Sequence, residues 1–218
     1  MTDEPANAQG GTTLEQKITW TATTPKSVYT AIKDSWDTAK MGGAATPRAI
    51  VVLLSQWHLE TEVGKHCYNN NLAGMKCPNP TAQSHFYMNT MEDYPADKAN
   101  AMVAARKAYF KADKNDAATG KLRVWFGKGC FRAWDNLSDG AKGYLGVVSG
   151  FYREALPFIL AGDAGGYAHA ICEEVRGAGR GWFTGPDAIY KDGKPWGGYR
   201  FALKRFHREY MDLKPDTW

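Results

Sequence analysis

The sequence predicts an α+β domain that is mostly α, a helical lobe joined to a small β-containing lobe. Three observations carry this. Apolar residues recur at helical spacing over several long stretches, and two of those stretches open at a proline, Pro25 and Pro47. The β-favouring and the Asn-, Pro- and Gly-rich material is concentrated between the second helical stretch and residue 134. With 218 residues, 44% hydrophobic and 23% charged, the chain can bury one large core. The expected organisation is a flexible lead-in over residues 1–13 and a single domain over 14–218.

Thr24-Pro25 reads as an N-cap followed by proline in the first helical turn, and Val28, Ile32 and Trp36 then recur every fourth residue, predicting a helix over 25–40. The next helix runs from Pro47 to Glu62, with Ile50, Leu53, Leu54 and Trp57 on one stripe. Residues 67–91 read as loops with short extended pieces. Pro95 opens a helix through Ala112, which the family resemblance given below implies is an insertion, and a turn follows at 115–120. Val124, Trp125, Phe126 and Phe131 favour a hairpin or short strands over 122–134. Leu137 to Ala155 forms a long helix capped by Ser138 and broken at Pro157. Residues 167–176 are helical, 177–198 form a Gly-rich loop, and 199–212 form a last helix with Leu203, Phe206 and Tyr210 inward.

Lys and Arg number 27 against 23 Asp and Glu, a net charge of +4, with no run of five basic residues. Nucleic acid is therefore not an expected partner. The longest aliphatic run, Ile50–Leu54, is far too short for a membrane span, and the first residues lack the apolar stretch of a signal peptide. The four cysteines, at 67, 77, 130 and 172, include no CxxC pair, so a structural zinc site is not expected. Cys67 and Cys77 flank a short polar loop and could bridge it, the alternative being buried free thiols. The 8 Trp, 11 Tyr and 9 Phe suit sugar rings, bases and core packing alike.

Ser55–Lys65 is the most informative segment. Glu60 falls three residues after Trp57 and seven after Leu53, so the apolar stripe turns it toward the core side, while Glu62 should be more exposed. A carboxyl at the end of a buried helix face loses solvation, which raises its pKa and favours the acid form that can protonate a leaving oxygen. Periodicity alone leaves open that Glu60 swings out to solvent. His58, Glu62 and His66 are spaced as metal ligands on one helix face, but Gly64 should end the helix first and no HExxH pattern is present, so neither metal nor cofactor is expected.

The stretch Gln56-Trp57-His58-Leu59-Glu60-Thr61-Glu62-Val63-Gly64-Lys65, followed by Tyr68-Asn69-Asn70-Asn71-Leu72-Ala73-Gly74-Met75-Lys76, resembles the A-x-x-E-[ST]-G-[WY]-G-[KR] … N-N-L-F-G-I-K signature. That signature belongs to the bacterial peptidoglycan glucosaminidases of glycoside hydrolase family 73. Cys130-Phe131-Arg132-Ala133-Trp134-Asp135-Asn136-Leu137 is similar to the family's F-R-x-[YF]-x-[ST]-L segment, and Gly181-Trp182-Phe183-Thr184-Gly185-Pro186-Asp187, more loosely, to its G-Y-A-T-D-P-x-Y block. The resemblance implies a lysozyme-like fold with Glu60 as catalytic acid in a cleft between the lobes, protonating a β-1,4 glycosidic oxygen between N-acetylglucosamine and N-acetylmuramic acid. It also implies that Asn70 and Asn71 line the sugar cleft, although tight turns with positive φ would equally explain those asparagines. Tyr68, Trp182 and Tyr190 remain as sugar platforms, whereas Trp125 and Trp134 read as core.

Three departures stand out. The signature's Gly and aromatic after Glu-Ser are Glu62 and Val63 here, and its Phe is Ala73. The family's second carboxylate, in a T-x-E segment, matches Thr90-Met91-Glu92, with Asp93, Asp113 and Asp116 as rivals. The expected activity is thus a peptidoglycan hydrolase. A lytic transglycosylase on the same glycan is the alternative, and a non-catalytic glycan-binding or phage-structural protein is the alternative of another class. The expected partner is a peptidoglycan glycan strand met by a monomer in the periplasm or cell wall, after delivery by lysis or a secretion system. An injected effector would imply an immunity protein as a further partner.

Overall fold

The computed structural model describes residues 14–105, 109–116, 121–177, 181–183, 189–191 and 194–218. The expected lead-in and the Thr184–Asp187 portion of the fourth sequence block lie outside them. Among the described residues, eight α-helices and five strands follow in order: α1 Pro25–Ser35, α2 Pro47–Thr61, β1 His85–Pro95, α3 Ala96–Ala104, β2 Tyr109–Asp116, β3 Lys121–Arg132, α4 Leu137–Phe151, α5 Leu156–Leu160, α6 Ala164–Ile171, α7 Glu173–Arg176, β4 Ile189–Lys191, β5 Lys194–Gly197 and α8 Tyr199–Asp212. The fold is α+β and mostly helical.

The helix starts follow their caps. Thr24 and Ser27 exchange side-chain and backbone hydrogen bonds in a capping box before Pro25. Thr46 Oγ1 accepts from the Ala49 N–H before Pro47. The α4 cap is Asn136, whose Oδ1 accepts from the Asp139 N–H at 2.9 Å, rather than Ser138. Asn136 sits directly before the first helical residue, and its amide also donates to Asp139 Oδ2 at 2.8 Å.

Helix α2 is the axis of the helical lobe. Every residue from Ala49 to Trp57 is buried, so the stripe expected on one face is in fact apolar almost all round, as a helix enclosed by others must be. It packs against α1, α5, α6 and α8, and Leu203, Phe206 and Tyr210 of α8 close one side as expected. In the small lobe, β3 is central, antiparallel to β1 on one side and to β2 on the other. Phe86 and Phe131 pair across β1 and β3 with ring centroids 5.7 Å apart. Farther out, Val124 packs on Ala99 of α3.

Two local expectations change. The helix expected to Ala112 stops at Ala104, and residues 109–116 are instead an edge strand, whose two ends, Tyr109–Phe110 and Asn115–Asp116, pair with β3. The bridge that the sequence allowed between Cys67 and Cys77 is not formed, and all four cysteines are thiols. Cys67 is fully buried with its S–H directed at the Asn71 carbonyl, 3.7 Å away, whereas Cys77 lies on an extended segment beside β3.

Candidate active site

The end of α2 sets the site. Glu60 stands in its last turn, partly buried, and the chain then leaves the helix through Glu62, Val63 and Gly64, all with positive φ. Thr61 Oγ1 fastens this exit: it donates to the Trp57 carbonyl at 2.6 Å and accepts from the Gly64 N–H at 2.9 Å. The turn releases the chain toward the small lobe and leaves Glu60 at the mouth of a cleft of about 350 Å³.

One wall of that cleft is the loop with Tyr68, Asn71, Gly74 and Lys76, and the next is the sheet face with Phe86, Met88, Thr90 and Phe131. The third is Trp182 with Phe183. Lys76 Nζ sits 4.2 Å above the Phe131 ring, joining the first two walls. The third wall is tied to the helical lobe by the Trp182 N–H donating to the Ile171 carbonyl at 2.7 Å and by a parallel bridge between Cys172 and Phe183. Trp182 also packs against Tyr144 and Tyr152, at 5.8 and 5.3 Å between ring centroids.

Beneath Glu60 runs a hydrogen-bond chain of one polarity. Tyr144 and Tyr167 hydroxyls both donate to Gln56 Oε1, at 2.6 and 2.5 Å. The Gln56 amide nitrogen then donates to the Tyr199 oxygen at 3.0 Å, and the Tyr199 hydroxyl donates to Glu60 Oε1 at 2.5 Å. Gln56 with two hydroxyls on its oxygen has its amide orientation settled by them, so the final donor always points at the carboxyl. Tyr199 is only partly buried as a residue, but its hydroxyl lies inside. Burial first, then the charge of Glu60, hold its phenol well above the ordinary 10.0, so it stays a donor across the working pH range. Burial pushes the Tyr152 phenol up to about 12, with Arg176 pulling it down and Glu60 adding to the rise. The ring of Tyr199 is itself stacked on Phe183, 3.8 Å between centroids and 8° between planes.

Glu60, Tyr68, Asn71 and Trp182 line one cleft. Asn70 and Asn71 use their amides on the protein itself. Asn70, at φ 57°, donates to the Trp134 carbonyl at 2.8 Å. Asn71 donates to the Met75 and Arg132 carbonyls at 2.9 and 3.0 Å and accepts from the Met75 N–H at 2.8 Å. Glu92 is in β1 opposite Val124, and Tyr190 is in β4 opposite Pro195; their side chains lie outside the described residues. His58 stacks on Phe206 at 3.7 Å and its Nδ1 is 2.8 Å from the Tyr210 hydroxyl, while His66 Nε2 lies 3.5 Å from Glu62. Sequence reasoning missed Gln56, Phe183 and Tyr199. A glutamine inside a run of buried apolar helix residues was the signal for the first.

Chemically, the site offers one carboxyl with a fixed donor on one oxygen, at the edge of a cleft with aromatic walls. Among the described residues, Glu60 is the one carboxylate that lines it. Neither a protein-family model nor a curated protein sequence matches the chain. Its structure is similar to the crystal structure of a peptidoglycan hydrolase mutant from Sphingomonas sp. A1, with a TM-score of 0.52 and 18% sequence identity over 86% of this chain and 99% of that one. At that identity the likeness establishes the architecture, a fold shared with a peptidoglycan hydrolase over nearly that protein's whole length.

Proposed function

We propose that this chain is a bacteriolytic peptidoglycan hydrolase that cleaves β-1,4 bonds between N-acetylglucosamine and N-acetylmuramic acid, with Glu60 as general acid. One observation carries the reading. Segments far apart in sequence that resemble the family 73 glucosaminidases, around Glu60, Asn71–Lys76, Phe131 and Trp182, all line the same cleft. The fold shared with a peptidoglycan hydrolase supports it. Glu60 would give its proton to the glycosidic oxygen as positive charge develops on the sugar, while the Tyr199 donor steadies the carboxylate left behind. Tyr68, Trp182 and Tyr190 are the proposed sugar platforms, and Glu92, on the strand that carries Phe86, Met88 and Thr90, is the proposed second carboxylate. The substrate puts the place of action in the periplasm or cell wall.

The test is turbidity loss of purified sacculi with wild type and Glu60→Gln, the variant being expected to lose at least 1,000-fold (roughly 4 kcal/mol of barrier). Equal clearing by both would overturn the assignment and leave a glycan-binding role. A second reading rests on the lone described carboxylate in the cleft: one acid suffices when a muramyl 6-hydroxyl attacks, as in a lytic transglycosylase. Mass spectrometry of the fragments decides, reducing ends supporting hydrolysis and anhydro-sugars transglycosylation. Unchanged turnover of Glu92→Gln would remove that residue from the mechanism.

A further inference from the structure

We infer that Cys77 and Cys130 are a cross-strand thiol pair that closes to a disulfide in an oxidising compartment, stapling the loop wall of the cleft to the sheet wall. The backbone carries the argument. An antiparallel bridge joins Lys76 to Phe131, and it is flanked by the Cys77 N–H donating to the Cys130 carbonyl and the Arg132 N–H donating to the Met75 carbonyl, each at 2.9 Å. Residues 75–77 thus run alongside the end of β3, and Cys77 stands directly opposite Cys130. Directly opposed residues project from the same face, with Cα atoms about 5.5 Å apart at a hydrogen-bonded position. That lies inside the roughly 4.4–6.8 Å that a disulfide spans.

The surroundings of the thiols agree. Burial, then hydrogen bonding and charge from Cys77, raise the Cys130 thiol above its ordinary 9.0, while the Cys77 S–H donates to Gln83 Oε1 at 3.5 Å. Tyr87 is opposite Cys130 on the other side of β3 and also reaches its thiol. Cys130 is partly exposed, giving an oxidant its point of entry. Cys67 is different: it is fully buried, and burial pushes its thiol up to about 11 against the pull of Thr23 and Thr21. Side chains alternate across the sheet, so the neighbours Lys76 and Phe131, which line the cleft, place the two thiols on its outer face. The staple would fix the spacing of two cleft walls without entering the cleft.

The oxidant is a disulfide. The Cys130 thiolate attacks one of its sulfurs, breaking the S–S bond and releasing one half as a thiol. The Cys77 thiolate then attacks the Cys130 sulfur of the mixed disulfide, forming the intramolecular S–S bond and releasing the second half as a thiol. Two electrons and the two cysteine protons pass to the oxidant. Because the Cys130 thiol sits above its ordinary value, the reaction should run faster at pH 8.5 than at pH 7.

The experiment incubates the folded chain with oxidised glutathione at pH 8.5, then counts thiols after denaturation, maps peptides without reduction and measures Tm. The expected result is a fall from four thiols to two, one linked peptide pair containing Cys77 and Cys130, and a Tm rise of roughly 5–10 °C reversed by dithiothreitol. Cys67→Ser should behave likewise, whereas Cys77→Ser and Cys130→Ser should form no such link and gain no stability. Four surviving thiols, a link from Cys67, or glutathione adducts without an internal link would overturn the proposal, and the peptide map of the unmodified sequence decides even where a serine variant folds poorly. None of these readouts depends on glycan cleavage.

Discussion

Replacing Tyr199 with Phe removes one oxygen and leaves the ring stacked on Phe183. That oxygen donates to Glu60 at 2.5 Å and accepts from Gln56 at 3.0 Å, so two distinct losses follow. A hydrogen bond to a charged acceptor contributes about 1.5–3 kcal/mol, and stranding the Gln56 N–H costs about 1–3 kcal/mol. The first loss bears on the reaction, because the donor stabilises the carboxylate that forms as the proton leaves; kcat/KM for sacculus clearing should fall about 10–100-fold. The second bears on stability, and at roughly 2–4 °C per kcal/mol for a chain of this size Tm should fall by about 2–12 °C. A third signature separates positioning from support. Without a donor to the ionised carboxyl, the alkaline limb of the rate profile should move to higher pH. A Tyr199→Phe protein with a lowered Tm, a wild-type clearing rate and an unmoved pH profile would refute the view that this hydroxyl serves Glu60.

Gln56→Leu keeps the bulk of a buried side chain but deprives the Tyr144 and Tyr167 hydroxyls of their common acceptor; urea unfolding should show a loss of about 2–5 kcal/mol, and a loss under 1 kcal/mol would count against the chain as drawn. Gly140→Ala, which in an open helix would gain up to about 1 kcal/mol, should instead cost about 1–3 kcal/mol, because its Cβ would lie 2.1 Å from the Asn70 carbonyl oxygen; a raised urea midpoint contradicts that close approach. Burial holds the His58 imidazole below its ordinary 6.5, with Glu209 opposing and Arg205 reinforcing, and burial does the same to His207. For a depressed value, stability is complete above the unfolded pKa and is lost as pH falls through the folded one, so Tm should drop from pH 7 to pH 5 and drop less in His58→Gln; parallel curves would remove His58 from that dependence.

What could be read from the sequence was whatever is encoded locally. The Thr-Pro starts, the Tyr199–Asp212 helix and the core-side placement of Glu60 all depend on residues within a few turns of each other. The partners of Glu60 are not of that kind. Tyr199 lies 139 residues away and appeared only as the first residue of an amphipathic helix, so nothing near it signalled a carboxyl. The small lobe was under-read for the same reason. Phe86, Met88 and Thr90 do alternate with less apolar neighbours, but Asn and Pro in the preceding loop masked the period. Tyr109–Asp116 became a strand only because β3 supplied an edge to pair with. The asparagines after Cys67 carried both a cleft reading and a turn reading. Their φ values near 50–60° at Asn69 and Asn70, with amides turned onto backbone carbonyls, show that holding the loop is the part that these side chains perform within the chain.

The departure at Glu62-Val63 is where sequence and structure test each other most sharply. The family signature that this segment resembles carries a glycine at the position of Glu62, and here Glu62 adopts φ 47°, ψ 55°, the left-handed conformation in which a glycine meets no steric cost. A non-glycine residue thus stands in a conformation that glycine suits best. Val63 follows at φ 60°, and for a β-branched residue that conformation is an outlier. Thr61 restrains the turn by bonding Trp57 on one side and Gly64 on the other, which explains how the strain persists two and three residues from the catalytic candidate. Val63 is 41% exposed, so little packing holds it there. Asparagine tolerates the left-handed region, and Val63→Asn should therefore stabilise the chain by about 1 kcal/mol, a Tm rise of roughly 2–4 °C. If the turn serves only to aim Glu60, clearing activity should be retained in the more stable protein. A lowered Tm would mean that Val63 is held by contacts rather than tolerated against strain, and the turn after Glu60 would then owe its shape to packing instead of to the Thr61 restraint.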